Sequence, residues 1–548
     1  MVGTILLETG AYVACVDGER NPSCQISSSH SSSTGCTDWP AECEQRAEEW
    51  RARLNHLLKN GRPLQASSWV AAEWRKAWNL AARVSMVELR MPRRSTDMNE
   101  QAKQLVEHLL RLALIADEAS AGVGIDDEAD EFLHYAKRSF SAYLQDGGHN
   151  LCDEVWRDRA VVMPKQHTPQ LGLTFRSLTH HLALLPRTDV TCHWTTYKRP
   201  RSRQRDVANL LLLPWPTTTT PKHFDVAEPE CWAPESHGFF TYEAERDEKE
   251  LERYVQSHLQ TAEEAGLTLD VVVMPELAIT WRGFRKVKGL VHAAGAALVA
   301  GVSVEPADEA ASPEEMHGFP HATNVAAISL PMQQDRGGDE TVDADAPALW
   351  LFQRKHHRWR LDEGQVVQYG LGGRLPAHRR LWERTALGPR EVQVLKLDDW
   401  LTACPLICED LARQDPVSSV IRAVGPNLVI ALLMDGPQLA RRWGARYAAV
   451  LADDPGSSVL TFTSLGMSTL SKPRENKPGR GRVIALWRDP VRGERELELP
   501  EGCSAAVLSL ARHQGTEWSS DGRSDGGAAF TPTFASFTPF PEPPAIEV

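Results

Sequence analysis

Three side chains of different chemistry each close an apolar run in this 548-residue sequence: Glu276 follows VVVMP, Lys355 follows ALWLFQR, and Cys408 follows LTACPLI. A free thiol titrates at about 8.5 and is mostly protonated at neutral pH, so a nucleophilic cysteine needs a neighbouring base or cation. Glu276 is suited to take the Cys408 proton as the sulfur attacks a carbonyl or nitrile carbon. Lys355 is suited to stabilise the charge that develops on the tetrahedral intermediate. Nothing in this set calls for a cofactor or a metal.

Residues so far apart in the chain meet only if their runs are strands of one core, and in layered α/β folds ligands bind beyond the carboxyl ends of such strands. From residue 206 onward the sequence fits that demand. Short apolar runs (ANLLLLPWP, VVVMPE, AALVAGVSVE, TNVAAISLP, ALWLFQRKH, EVQVLKL, LTACPLICED, NLVIALLMDG, SVLTFTSLG, RVIALW, SAAVLSL) alternate with helical stretches near 245–265, 284–294, 416–424 and 438–452. The alternation predicts an α/β sheet covered by helices. The Gly-, Pro- and Ser-rich stretch 513–548 reads as a tail that packs locally or not at all.

The first 200 residues have another texture. The Ser-rich SCQISSSHSSSTGC at 23–36 marks residues 1–36 as a flexible lead-in. From 37 to 200, apolar residues recur at helix spacing: Trp50, Leu54, Leu57 and Leu58; Trp74, Trp78, Ala82, Ser85 and Leu89; Leu105, Leu109 and Leu112; then Phe132, Ala136, Phe140 and Tyr143 before the DGG stop at 146–148. The pattern predicts an all-α domain whose Trp and Phe stripes are core rather than a cofactor box. The basic TYKRPRSRQR at 196–205 reads as a solvated linker, since its single aromatic, Tyr197, makes a poor stacking platform for nucleic acid.

Composition narrows the classes. Lys plus Arg total 60 against 73 Asp plus Glu, a net charge of −13, which argues against a surface committed as a whole to nucleic acid or anionic lipid. The longest apolar runs, such as NLVIALLM at 427–434, fall short of the roughly 20 residues that span a bilayer. The amino terminus has no basic residue ahead of its apolar stretch, and the ten Cys show no small-domain disulfide spacing. Together these predict a cytoplasmic protein with reduced thiols and no membrane association. Cys404 with Cys408, and Cys192-His193 with His356-His357, invite a zinc reading, but no tight second pair completes it. Of His356 and His357, one is expected to face the sheet and the other solvent.

The segments MPEL around Glu276, QRKHH around Lys355 and LICEDL around Cys408 make residues 206–512 resemble the nitrilase, or carbon-nitrogen hydrolase, superfamily. AGAALVAGVSVE, TNVAAISL, AVGPNLVIAL and RRWGARYAAVLADD extend the resemblance. It implies a nitrilase-like α-β-β-α sandwich, here preceded by an all-α domain. It also implies a Glu-Lys-Cys triad with Glu276 as general base, Lys355 as charge stabiliser and Cys408 as nucleophile. By the same resemblance Glu363 hydrogen-bonds the lysine and helps place the substrate, and the backbone N–H of Glu409 is the second oxyanion donor. Asp410 is expected to cap the following helix. The stretch 364–391 departs from the family as an insertion, read as a lid or an assembly contact.

The resemblance implies hydrolysis of a non-peptide C–N bond in a small-molecule amide or nitrile, through a thioester, by a homodimer or higher oligomer. A second expectation, of another class, is a nitrilase-fold binding or assembly component of a multi-protein system, such as a reverse-transcriptase-associated prokaryotic defence system. The helical domain would then hold a separate protein partner such as a reverse transcriptase. No polymerase Tyr-x-Asp-Asp motif and no synthetase phosphate-binding motif lie in this chain.

Overall fold

A computed structural model of the chain describes residues 2–15, 43, 45–49, 52, 68–84, 89, 100–121, 160–186, 190–197, 205–227, 237–243, 247–305, 322–331, 349–388, 390–471 and 480–544. The chain divides into two compact units, one built from residues 1–188, 419–426 and 514–529, the other from 189–418, 427–513 and 530–548.

In the first unit the helices Val2–Thr9, Ser68–Ala81 and Glu100–Ala119 bury Leu6, Ala77, Leu105, Leu109 and Leu112 in one apolar cluster. The lead-in is therefore helical at its start, with Leu6 and Cys15 buried. The unit is also not all helix, because Ala160–Pro164 and Leu182–Pro186 pair antiparallel. The Trp stripe is displaced by one position: Glu73 and Ala77 face inward, whereas Trp78 is 39% exposed and stacks on the half-buried Trp74. Glu73 is tolerated inside because His108 and Arg111 of the neighbouring helix partner it. Trp50, Leu54, Leu57, Leu58, Ser85, the Phe132–Tyr143 stripe with its DGG stop, the Ser-rich 23–36 and the basic 198–204 lie outside the described residues.

The second unit contains two seven-stranded sheets among its described residues. The first runs, edge to edge, Leu349–Arg354, Thr323–Leu330, Ala297–Val304, Val271–Thr280, Val207–Leu212, Cys503–Gly515 and Ala529–Pro541. The second runs Gly493–Glu498, Val483–Asp489, Ser458–Thr463, Leu428–Leu433, Leu401–Ile407, Arg390–Asp398 and Val190–Thr196. Val271–Thr280 lies against Leu428–Leu433 across the middle. Helices Glu248–Glu264 and Trp281–Ala293 pack on the first sheet, and Trp443–Asp453 packs on the second. The order of layers is α-β-β-α. Strands enclosed on both faces are buried at every position, as Ala297–Val304 and Leu428–Leu433 are, and that enclosure explains their nearly unbroken apolar sequences.

Local chemistry fixes the covering helices. Asp247 caps Glu248–Glu264 by accepting the N–H groups of Lys249 and Glu250, both at 3.0 Å, and the helix buries Leu251, Tyr254, Val255, His258 and Ala262 at three- and four-residue spacing. Thr280 caps Trp281–Ala293 through the Gly283 N–H. That helix ends where Gly295 takes a φ of 70°.

Two segments depart from expectation. Val190–Thr196, expected within the helical domain, pairs parallel with Arg390–Asp398 at the edge of the second sheet. The stretch expected as a loose tail supplies the edge strand Ala529–Pro541 of the first sheet, and its residues 514–529 belong to the first unit. That strand is rich in Thr and Phe, which favour a pleated surface, and its prolines are tolerated because an edge leaves one row of N–H groups unpaired. Among the described residues no helix is long and apolar enough to cross a membrane.

Candidate active site

Glu276 sits where Val271–Thr280 breaks register with Ala297–Val304, between Met274 and Ile279, and the next residue, Leu277, takes a φ of 51°. The bulge lifts the carboxylate out of the ladder. Opposite it stands Gly301, where a Cβ would lie 2.3 Å from the Pro275 carbonyl oxygen and 2.4 Å from the Glu276 Cα. Only glycine leaves room for that approach.

Lys355 follows the strand Leu349–Arg354 and is almost wholly buried. Its backbone N–H donates to the Asn324 carbonyl at 3.0 Å, and its Nζ donates to Glu276 Oε1 at 2.6 Å and to Glu383 Oε2. Asn324 completes the cluster, its Nδ2 donating to Glu276 Oε1 and to Glu383 Oε1, each at 2.8 Å. Burial pulls the ammonium down, but the charges of Glu276 and Glu383 outweigh it and hold Lys355 well above the usual lysine range. Burial pushes the Glu276 carboxyl above its ordinary 4.5, Lys355 opposes the shift, and the negative charge of Glu383 adds to it.

Cys408 ends the strand Leu401–Ile407 with φ 44° and ψ −107°, a strained geometry for a residue with a side chain. Its N–H donates to the Leu432 carbonyl at 2.9 Å, and its own carbonyl accepts the Leu411 N–H at 3.0 Å. Burial first, then the Glu276 charge, hold the thiol well above the usual cysteine range, against the pull of Lys355. The resting sulfur is therefore protonated, and an attack from it must be accompanied by loss of the proton to a base.

Two polar ties join the lysine and cysteine segments. Gln353, fully buried, donates from Nε2 to the Pro405 carbonyl at 2.8 Å and accepts the Gln393 N–H at 3.0 Å. Asp410 accepts the His356 N–H at 3.1 Å and His357 Nδ1 at 2.9 Å. Asp410 thus binds the loop after Lys355 to the turn after Cys408 instead of capping the helix Glu409–Ala412. His356 is buried, with its Nε2 against the Glu391 carbonyl, and His357 is partly exposed.

The secondary residues sort differently from expectation. Glu363 is exposed and opens the short helix Glu363–Gln368. The carboxylate that reaches Lys355 is Glu383, at the end of Arg380–Glu383 inside the 364–391 segment. That strand pairs parallel with His237–Tyr242 in a four-stranded sheet and alternates outward Arg380 and Trp382 with buried Leu381 and Glu383. The insertion read as a lid or assembly contact delivers a site residue. An ionisable residue at an inward position of RLWE was the available sequence signal. The Glu409 side chain pairs with Arg413 at 3.2 Å, and its backbone N–H begins the helix beside the thiol. Asp435, also unanticipated, accepts from Tyr369 Oη and Arg442 Nη2, both at 2.6 Å, and from Trp443 Nε1 at 3.0 Å.

A cavity of about 260 Å³ opens over this cluster, lined by Glu276, Asn324 and Glu383 and walled by Phe240, Tyr242, Trp359 and Met434. Among the described residues no group of three His, Cys, Asp or Glu is placed to hold a metal ion. Cys192 and Cys404 are separate free thiols, the first pushed up to about 12 by burial.

No protein-family profile matches the chain, and no curated protein does. Among solved structures, it matches Nit3 of Saccharomyces cerevisiae, a member of branch 10 of the nitrilase superfamily, at 12% identity over 56% of this chain and 92% of that one, TM-score 0.33. It matches a mutant of the Nesterenkonia AN1 amidase from the nitrilase superfamily at 13% identity over 56% and 92%, TM-score 0.32. A carbon-nitrogen hydrolase from Helicobacter pylori matches at 8% identity over 58% and 87%, TM-score 0.28. Likenesses this distant add nothing to the assignment of residues, and the layered architecture rests on the strand order and registers given above.

Proposed function

We propose that this protein hydrolyses a non-peptide C–N bond, most simply that of an amide, with Cys408 as nucleophile, Glu276 as general base and Lys355 as oxyanion partner. The observation that carries this reading is the buried contact between Lys355 Nζ and Glu276 Oε1 at 2.6 Å, in a cluster whose charges also act on the strained Cys408. The four-layer fold agrees with it.

The steps follow from the resting protonation. As the Cys408 sulfur bonds to the amide carbon, its proton passes to Glu276, and the carbonyl π electrons move onto oxygen. An ammonium has three N–H donors. Two on Lys355 are taken by Glu276 and Glu383, and the third is directed to the oxyanion, together with the Glu409 N–H. Collapse of the intermediate expels the amine, which takes the proton from Glu276, and leaves a thioester. Water then gives a proton to Glu276 as its oxygen attacks the thioester carbon; cleavage of the C–S bond releases the acid, and the proton returns to sulfur.

The test is ammonia or amine release by the purified chain across a panel of amides and nitriles, with Cys408→Ala as control. The variant is expected to fold as the parent does and to release none. Turnover retained in that variant contradicts the assignment.

A further inference from the structure

The charge of the cavity indicates what it admits. Among the described residues four carboxylates line it, Glu243, Glu276, Glu305 and Glu383, against one cationic side chain, Arg384. Glu276 and Glu383 are buried and share one ammonium, that of Lys355, so the floor of the cavity keeps a net negative charge. Unlike that pair, Glu305 is half-buried and Glu243 exposed, and they mark the mouth. Each lies just past a strand end, Glu243 after His237–Tyr242 and Glu305 after Ala297–Val304, where Glu305 accepts from Ser303 Oγ at 3.4 Å.

Two independent features point to a ligand rather than to an idle acidic patch. Glu276 Oε2 and Asn324 Oδ1 are buried acceptors in lining residues, and neither has a hydrogen-bond partner among the described residues. Buried acceptors without donors are costly and are the atoms a bound molecule is expected to satisfy. Both call for N–H groups. The walls between floor and mouth are aromatic, with Phe240 and Trp359 edge-to-face at 5.5 Å and Tyr242 beside them, and ring faces attract cations. At about 260 Å³ the space is below the usual range for drug-sized ligands, so the occupant is short.

Resting on the hydrolase reading, we propose that the substrate is a small amide whose acyl part carries a protonated amine. The reacting carboxamide N–H groups meet Glu276 Oε2 and Asn324 Oδ1, and the distal ammonium lies between the aromatic walls and the Glu243 and Glu305 carboxylates. Acyl groups ending in a carboxylate are repelled at the mouth.

The experiment uses the full chain and needs no substrate. Three thiosulfonate reagents of similar size, bearing a trimethylammonium, a neutral and a sulfonate group, form a mixed disulfide with a thiol and release a sulfinate. Modification of Cys408 is followed by peptide mass mapping, with each rate divided by the reagent's rate on a free small thiol. The expected order is cationic over neutral over anionic, with at least about a tenfold span at low salt that narrows as salt is added. Glu243→Gln combined with Glu305→Gln is expected to remove most of the span. An anionic reagent as fast as the cationic one, a span unchanged in the double variant, or no reagent reaching Cys408 overturns the proposal. The hydrolase reading is judged separately, by whether Glu276→Gln slows the neutral reagent: charge order without that slowing sinks the triad and leaves the cation-selective cavity standing.

Discussion

Gly301 and Glu276 face each other across two neighbouring strands so closely that no side chain fits between them: a Cβ on Gly301 would stand 2.4 Å from the Glu276 Cα. The bulge that presents the carboxylate to Lys355 thus depends on a hydrogen atom on the strand beside it.

Gly301→Ala is expected to push the bulge away from Lys355. Overpacking of this kind costs about 1–3 kcal/mol, read by denaturant unfolding, and turnover should fall much more than the stability loss accounts for. A variant destabilised in that range but fully active would separate the bulge from the chemistry.

Glu383→Gln tests the carboxylate that replaces Glu363 beside the lysine. Glu276 works as a base only when deprotonated, so kcat/KM rises with pH through its folded pKa, which lies above the ordinary 4.5. Glu383 contributes to that upward shift. Removing its charge should move the ascending limb to lower pH while lowering the plateau. Glu363→Gln, on an exposed helix start, should leave the profile unchanged.

Asp410→Asn tests the tie between the turn after Cys408 and the loop after Lys355. Asp410 accepts from both His356 and His357, and an amide in its place offers one acceptor oxygen and two unwanted donors. As a positioning residue it should lower kcat by about 10–100-fold with little change in KM. An equal rise in KM with kcat intact would place its role in binding.

In the first unit, Asp117 accepts the backbone N–H groups of His180, His181 and Leu182 and pairs with Arg523 at 3.1 Å. Asp117→Asn removes one of three carboxylates around the buried Arg523, Glu118 and Asp521 remaining, and sets an amide NH2 against backbone donors, so a loss of about 1–3 kcal/mol is expected by chemical denaturation. The pH dependence follows from burial, which raises the Asp117 carboxyl, and from Arg523, His181 and the backbone N–H donors, which together more than offset it, leaving the folded pKa below the ordinary 3.8. This contribution is complete above 3.8 and is lost as pH falls through the lower folded value. A variant with the same acid unfolding profile as the parent contradicts the assignment.

What the sequence disclosed follows the range of the forces involved. The strands carrying Glu276 and leading to Cys408 are buried on both faces, and the one before Lys355 is buried over its last three residues, so their apolar runs stand out, and the residue ending each run is visible without knowing the fold. Glu383 was hidden because the alternation of RLWE marks an inward carboxylate but not its partner: the meeting with Lys355 is set by the parallel pairing of Arg380–Glu383 with His237–Tyr242, a long-range choice. Ala529–Pro541 was hidden for another reason: at an edge, with one row of N–H groups unpaired, it tolerates Pro532, Pro539 and Pro541, which break up its apolar run. Trp74 and Trp78 misled because hydrophobicity alone assigned the inward face, while the Glu73–His108 pairing decided it.

The central claim is that Glu276, Lys355 and Cys408 act as one unit, and alkylation tests it without a substrate. Limiting iodoacetamide at neutral pH is applied to the folded chain, and the ten Cys are mapped in the parent, in Glu276→Gln and in Lys355→Met. Selective labelling of Cys408 in the parent, lost in both variants, is the predicted result. Labelling of Cys408 that is no faster than that of the other buried thiols, or that is unchanged in the variants, contradicts it.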